Sequence, residues 1–237
     1  MITSPALPNF HQTLTQALGS VNSDSSLTST WAVRLKERVT LAALLSFSTP
    51  NKSNESAAEK LLDQYGSLVQ VLSQAANIQS HSTIPPDFLS ILGVVYNALT
   101  RSLRVRVESR PFIGNYNILR DYLHFSLGSA ELEQVRVLFL NSKNILISDE
   151  LHSTGSVSRV SVYVREIAKR ALILNSTALV IAHNHPSGDV TPSIDDTAIC
   201  KKIMIALDAL DIKLHDNIIV GSGGFYSFRE KGMLSKI

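Results

Sequence analysis

Apolar residues recur at helical spacing through the first half of the chain. In residues 31–47 they lie three or four positions apart, at Leu35, Val39, Ala42 and Leu45. This spacing predicts a helix with one apolar face. The same pattern predicts two short helices over residues 56–75, separated at Gly66, and a longer helix that opens at Pro86. The apolar face of that longer helix is expected to comprise Phe88, Ile91, Val95 and Leu99.

The second half alternates apolar runs with amphipathic segments. Strands are predicted at residues 135–140, 145–151, 178–182 and 213–220. Helices are predicted at residues 115–127, with Asn115 as the cap, and at residues 164–174 and 193–210. The buried stripe of the middle helix is expected to comprise Val164, Ile167, Ala168, Ala171 and Leu172. Helices alternating with a mixed sheet predict an α/β or α+β class, in which helices sandwich the sheet.

Length and composition favour an N-terminal tail followed by two domains. The 237 residues are enough for two units that each bury a core. Residues 1–30 cluster serine and threonine with few apolar anchors, so a mobile tail is predicted there. Residues 31–110 are expected to form an all-helical domain, and residues 111–237 the sheet domain.

Two histidines end the apolar run at residues 178–182. His183 and His185 are two positions apart, and side chains at that spacing on a strand share a face. The loop 186–192 contains proline and glycine, which end the strand. Ser193 then has the pattern of an N-cap, with Asp196 at the third helical position of a capping box. Both imidazoles and the Asp196 carboxylate are therefore expected to hold one divalent metal.

A set of two histidines and one aspartate is typical of catalytic zinc, because it leaves the fourth position open. Other His-x-His sites fit less well. A metallo-β-lactamase type would need aspartate and histidine at Ser187 and Gly188, and the iron triad usually has a carboxylate at the place of His185. Cys200, one turn after Asp196, is expected to be a buried helix residue rather than a ligand.

The segment AHNHPSGDVTPSIDD, residues 182–196, resembles the JAMM motif of the JAB/MPN metalloproteases, specifically of the bacterial RadC-like proteins. The similarity continues through residues 137–157, 164–172 and 218–234. The resemblance implies a JAB/MPN-like, cytidine-deaminase-like fold and a Zn²⁺-dependent peptidase or isopeptidase that cleaves an amide bond of a peptide or protein by activated water. It also implies that Ser193 donates its hydroxyl to the oxyanion.

Two glutamates compete as the general acid/base. Glu166 lies in the helix that leads into the metal strand, where it is as readily a surface charge paired with Arg165. Glu133 lies at the junction between a helix and the first strand. In JAMM proteins the catalytic glutamate likewise ends a helix just before a strand, ahead of His-x-His, so Glu133 is preferred. Other polar residues near strand ends are expected to be exposed or to contact the ligands and not the metal itself, namely Asp149, Glu150, His152 and His215.

A DNA-associated repair or recombination accessory protein with a structural or vestigial metal is the alternative function. RadC-like proteins usually carry a glycine-rich helix-hairpin-helix in the helical domain, but residues 78–86 contain no glycine. Four arginines lie between the domains, at Arg101, Arg104, Arg106 and Arg110. A solvated face is favoured over a phosphate-binding patch there. Nucleic-acid binding is therefore expected to be weak and without sequence preference.

Charge and cysteine content bear on the partners and the cellular compartment of the protein. Lys and Arg total 22 against 20 Asp and Glu, a net charge of +2, which gives no support by itself for a nucleic-acid partner. A single cysteine, Cys200, cannot form an internal disulfide. No basic segment followed by a long apolar run opens the sequence, and no run reaches the length of a membrane span. The expectation is a cytoplasmic protein without a membrane partner.

Overall fold

The structure is a computed structural model that describes residues 30–47, 54–77, 86–108, 111, 116–128, 130–155, 163–221 and 224–234. The helices of these residues are α1 (Thr30–Ser46), α2 (Asn54–Tyr65), α3 (Leu68–Asn77), α4 (Pro86–Glu108), α5 (Tyr116–Leu127), α6 (Val164–Ile173) and α7 (Ile194–Asp208). The strands are β1 (Gln134–Leu140), β2 (Leu146–Thr154), β3 (Ala178–Asn184), β4 (Lys213–Gly221) and β5 (Gly224–Ser227). The predicted tail, the glycine-free hairpin at 78–85 and the Asn115 cap lie outside the described residues.

The chain divides into two compact units, Met1–Tyr96 and Asn97–Ile237. The division falls inside α4, so the carboxyl half of this helix belongs to the second unit, whereas the sequence suggested a boundary at residue 110. The predicted face of α4 was partly wrong. Phe88 is buried, but Leu89 and Leu92 are buried with it, and Leu99 is 43% exposed.

Charged residues of α1 organise the helical unit. Arg34 Nη1 donates to the carbonyls of Leu62 and Gly66, each at 3.0 Å. The Glu37 carboxylate accepts from Leu68 N at 3.0 Å. One end of α2 and the start of α3 thus receive partners for backbone groups that a helix leaves unsatisfied. The predicted break at Gly66 is confirmed, and its positive φ of 91° is a conformation that favours glycine.

A five-stranded mixed sheet in the order β2-β1-β3-β4-β5 forms the centre of the second unit. β1 pairs antiparallel with β2 and β3, β3 is parallel to β4, and β4 is antiparallel to β5. The start of β1 lies beside the end of β3, because Val135 is opposite His183. Residues just before β1 and just after β3 therefore meet at one end of the sheet.

Helices cover both faces of the sheet, as predicted. On one face, Leu119 and Leu123 of α5 pack against Val180 and other alternate strand residues, with the end of α4 beside them. On the other, α6 and α7 pack against the intervening residues. Only Ile167 and Ala171 of α6 are fully buried. Leu172 was wrongly placed in the stripe and is 53% exposed, because it lies one residue, about 100° of helix rotation, beyond Ala171.

Two buried carboxylates hold this unit together. Asp149 accepts from the Tyr122 hydroxyl and from two Arg136 nitrogens at 2.9 Å, and its side chain is fully buried. The expectation that Asp149 is exposed or near the ligands is therefore wrong. Asp216 accepts from Ser227 Oγ at 2.6 Å. This bond helps to attach β5, a strand of four residues that was too short to be recognised by its alternation.

None of the helices in the described residues is both long and apolar enough to cross a membrane.

Candidate metal centre

Two imidazoles meet at the end of β3. His183 lies within the strand, on the face that α6 and α7 cover, and its side chain is 6% exposed. His185 follows the strand and is 17% exposed. The backbone of His185 is held in register with the sheet, since its N–H donates to Val220 O at 2.9 Å. Both side chains are thus presented from a rigid sheet end.

The carboxylate comes from the first turn of α7. Ser193 is the N-cap, and the predicted capping box with Asp196 is confirmed. Asp196 N donates to Ser193 Oγ at 3.0 Å, while Ser193 N and Ser193 Oγ donate to Asp196 Oδ2 at 2.7 and 2.6 Å. These bonds fix the carboxylate without occupying Oδ1.

The three side chains converge on one point. His183 Nε2 lies 3.2 Å from Asp196 Oδ1, and His185 Nε2 lies 3.4 Å from Asp196 Oδ2. One ligand atom of each residue lies within 4.8 Å of the others. His183 Nε2 is buried and makes no hydrogen bond of acceptable geometry. Such a nitrogen beside a carboxylate suits a metal ligand, so the donor set fits the expected ion.

The orientation of the His185 ring is set by a hydrogen bond at Nδ1, the ring nitrogen that does not face Asp196. Its Nδ1 lies 2.6 Å from the carbonyl of Asp189. A carbonyl only accepts, so Nδ1 carries the proton and Nε2 presents its lone pair towards Asp196. The loop delivers this carbonyl through a turn at Gly188, where φ is +85° and the N–H donates to His185 O at 2.9 Å.

The electrostatics of the three side chains are coupled. Burial alone would raise the pKa of Asp196, but the adjacent imidazoles of His183 and His185 hold it well below its usual range. The Asp196 carboxylate, 3.4 Å from Nε2, is the main cause that raises the pKa of His185, because it stabilises the doubly protonated ring. The site therefore concentrates one stable negative charge next to two nitrogen donors, which is an arrangement that favours a cation.

Glu133 lies next to this cluster without joining it. It precedes β1 by one residue and is partly buried. Burial is the main cause that raises its pKa, with opposing effects from His183 and His185 and a reinforcing effect from Asp196. Its carboxyl group is thus within electrostatic range of all three candidate ligands. Glu166 instead lies on the surface of α6, 3.4 Å from Arg165 and 4.0 Å from Lys169.

A sequence model of the RadC-like JAB domain matches residues 113–233. The chain belongs to this RadC-like family. A UPF0758 protein of Rhodobacter capsulatus is 40% identical over 195 residues, which cover 82% of the chain and 91% of that relative. A UPF0758 protein of Ruegeria pomeroyi is 38% identical over 204 residues, covering 86% and 91%. These alignments are longer than the domain match, so the likeness to RadC-like proteins extends into the helical segment.

The other polar candidates of this RadC-like chain do not join the cluster. The His152 ring accepts from Tyr163 N at 3.3 Å, and the His215 ring lies 2.5 Å from Asn144 Oδ1. Glu150 pairs with Arg170 at 2.7 Å. Cys200 is buried in α7, as predicted. Within the part of the chain that the structure describes, only His183, His185 and Asp196 form a group of three or more candidate metal ligands.

Asn184 is a residue of this site that the sequence interpretation passed over. It is 1% exposed and hydrogen-bonds to the segment that carries Glu133. The sequence feature that could have identified it is a polar residue at the end of an apolar strand, between two candidate ligands.

Replacing Gly221 with alanine is expected to weaken metal binding about 10- to 100-fold, as is usual for residues that orient ligands. A Cβ at Gly221 would lie 2.6 Å from Gly188 O, so the loop that supplies the Asp189 carbonyl to His185 must move. Competition against a chromophoric chelator measures the affinity. Gly93→Ala is the control, since a Cβ there comes no closer than 3.8 Å to its neighbours. Equal affinities of the two variants would contradict this role of the loop.

Proposed function

We propose that this protein is a zinc-dependent amide hydrolase, a peptidase or isopeptidase. The observation that supports this best is the convergence of three ligands, two nitrogens and one oxygen, with no fourth protein ligand in the described residues. Structural zinc sites are usually closed by four protein ligands, whereas catalytic sites keep one position for water or substrate. Bound zinc would acidify a water molecule and polarise the scissile carbonyl.

Glu133 is proposed as the general acid/base. It would accept the proton of the attacking water and deliver it to the leaving amine. Two features support this role. The carboxyl group interacts electrostatically with His183, His185 and Asp196 but does not belong to the ligand set. Burial raises its pKa, which suits a group that must both accept and release a proton.

Ser193 is proposed to stabilise the oxyanion of the tetrahedral intermediate. Its hydroxyl donates to Asp196 Oδ2 at 2.6 Å, an oxygen that also accepts from Ser193 N at 2.7 Å. The hydroxyl can therefore rotate towards substrate while the backbone N–H continues to hold Asp196. Ser193 is exposed, so a substrate can reach it.

The proposal is tested with zinc-loaded full-length protein and a broad set of peptide and isopeptide substrates, with new amino groups as the readout. Cleavage that disappears with a chelator and returns with zinc is the expected result. Lack of cleavage across the set by protein that holds a full equivalent of zinc would count against hydrolysis and favour the accessory-protein alternative.

We also expect the full-length protein to bind duplex DNA only weakly and without sequence preference. The net charge is +2, and Arg104 in the arginine cluster is already paired with Glu108 at 2.7 Å. Binding through phosphates must fall steeply with salt, because it depends on counterion release. Fluorescence anisotropy at increasing salt measures this. A sub-micromolar Kd at physiological salt would contradict this expectation.

A further inference from the structure

Asn184 is a buried polar side chain between the two histidines of the metal centre. It is 1% exposed, and residues 178–182, which precede His183 in β3, are all apolar. Burying an amide is unfavourable unless its donors and its acceptor are paired. The partners of Asn184 therefore indicate its role.

The three side-chain hydrogen bonds of Asn184 go to one short segment. Asn184 Nδ2 donates to Ala130 O and Leu132 O, each at 3.1 Å, and Asn184 Oδ1 accepts from Gln134 N at 2.8 Å. Two carbonyls on one side and an N–H on the other also fix which amide atom is oxygen. The last two bonds hold the peptide groups on either side of Glu133.

The segment 130–133 lies between α5 and β1 without regular secondary structure, and Glu131 and Leu132 are exposed. At its start, Ala130 N donates to Leu127 O at 3.0 Å. The carbonyl of Glu133 accepts from Gly155 N at 2.9 Å. The bonds from Asn184 and Gly155 together satisfy Leu132 O, Glu133 O and Gln134 N.

Strand alternation explains how residues 183–185 can both present the metal ligands and hold the segment that carries Glu133. Side chains of successive strand residues point to opposite faces, so His183 faces α6 and α7 whereas Asn184 shares the face of Val180 and Ala182. The ligand and the amide thus emerge from adjacent residues of one rigid strand. A shift of the Glu133 segment relative to the ligands is resisted by the strand that carries them.

We propose that Asn184 is a positioning residue that holds Glu133 at a fixed place relative to His183 and His185. The inference rests on the proposed hydrolysis for its kinetic consequence, but its structural part is independent of it. Misplacement of a catalytic group by about 1 Å can cost on the order of 100-fold in rate. Asn184→Ala is therefore expected to lower kcat about 10- to 100-fold while KM and bound zinc stay near wild-type values.

Ser176→Ala is the matched control. Ser176 is also buried and lies at the opposite end of the β1–β3 pair, where its Oγ accepts from Leu140 N at 3.2 Å and lies 2.8 Å from Ala178 O. Both variants lose side-chain hydrogen bonds at one end of the β1–β3 pair. General loss of stability should affect both alike, whereas an effect through Glu133 should appear only in Asn184→Ala.

Three measurements on the full-length variants decide the question: kcat and KM, the visible spectrum of the Co²⁺-substituted protein, and amide hydrogen exchange. The expected result for Asn184→Ala is a lower kcat, an unchanged Co²⁺ spectrum and faster exchange at Gln134, none of it in Ser176→Ala. Wild-type kcat, or an altered Co²⁺ spectrum with lost metal, would overturn the proposal. If Asn184→Ala does not fold, Asn184→Asp, which keeps the acceptor for Gln134 N but loses both donors, is measured in its place, with the same expectation for kcat and the Co²⁺ spectrum and with exchange at Gln134 unchanged.

Failure of the proposed function gives a different pattern. Wild-type protein that holds zinc but cleaves nothing would refute the hydrolase proposal alone. Hydrogen exchange in Asn184→Ala then decides the positioning role: faster exchange confined to residues 130–135 with an intact Co²⁺ spectrum supports it, and unchanged exchange at Gln134 overturns it.

Discussion

A variant with both His183→Ala and His185→Ala is expected to contain no zinc, whereas wild-type protein should carry about one equivalent per chain. The reason is that Asp196 alone would remain of the converging set, and one carboxylate does not retain zinc against solvent. Elemental analysis after gel filtration measures the metal content. Because His183 Nε2 is a buried nitrogen without a satisfactory hydrogen bond, its removal also tests whether that atom is a ligand.

The matched control is His152→Ala/His215→Ala, which removes two other histidines of the same unit. Their rings contact Tyr163 N and Asn144 Oδ1 and lie outside the ligand group. This variant should keep its zinc. Full metal in the His183/His185 variant would refute the assignment of the site.

Glu133→Gln is expected to keep zinc but to lose about 10²- to 10⁴-fold in kcat, the range typical of a lost general acid/base. Glutamine preserves the size of the side chain and removes only its ability to carry a proton. Zinc should stay because Glu133 is not among the converging ligands. Steady-state kinetics on a cleavable substrate, with zinc content measured on the same sample, separates the two effects.

Glu166→Gln is the control for this variant. Glu166 is exposed on α6 next to Arg165 and Lys169, so its loss should change turnover little. Near-normal turnover in Glu133→Gln together with an inactive Glu166→Gln would reverse the assignment. Zinc loss in Glu133→Gln would instead make Glu133 a ligand.

Local features of the metal centre could be predicted from the sequence because they depend on residues a few positions apart. The capping box joins Ser193 to Asp196 across three residues, and the pattern of polar and charged side chains there was sufficient to predict it. The helix breaks and most element bounds were predicted for the same reason. The short β5 was missed, since four residues carry too little alternation to be distinguished from a loop.

Burial of polar groups could not be predicted in this way. Asp149 was expected to be exposed or to contact the ligands. Instead its side chain is buried, accepts a hydrogen bond from Tyr122 of α5 and pairs with Arg136 of β1. Its environment depends on which helix covers its strand. Likewise, Leu172 was placed in the apolar stripe by spacing, but it lies one residue beyond the buried Ala171 and is exposed.

The sequence by itself determined that His183, His185 and Asp196 are carried on a strand, a loop and a capped helix, because these elements follow from hydrophobic period, turn residues and local hydrogen bonds. Only the tertiary structure decided what lies beside them. The antiparallel register that places Val135 opposite His183 brings Glu133 to the ligands, and Asn184 reaches Gln134 across 50 residues of sequence. Strand pairing between distant segments is set by the packing of the whole sheet between its helices, which no local pattern encodes.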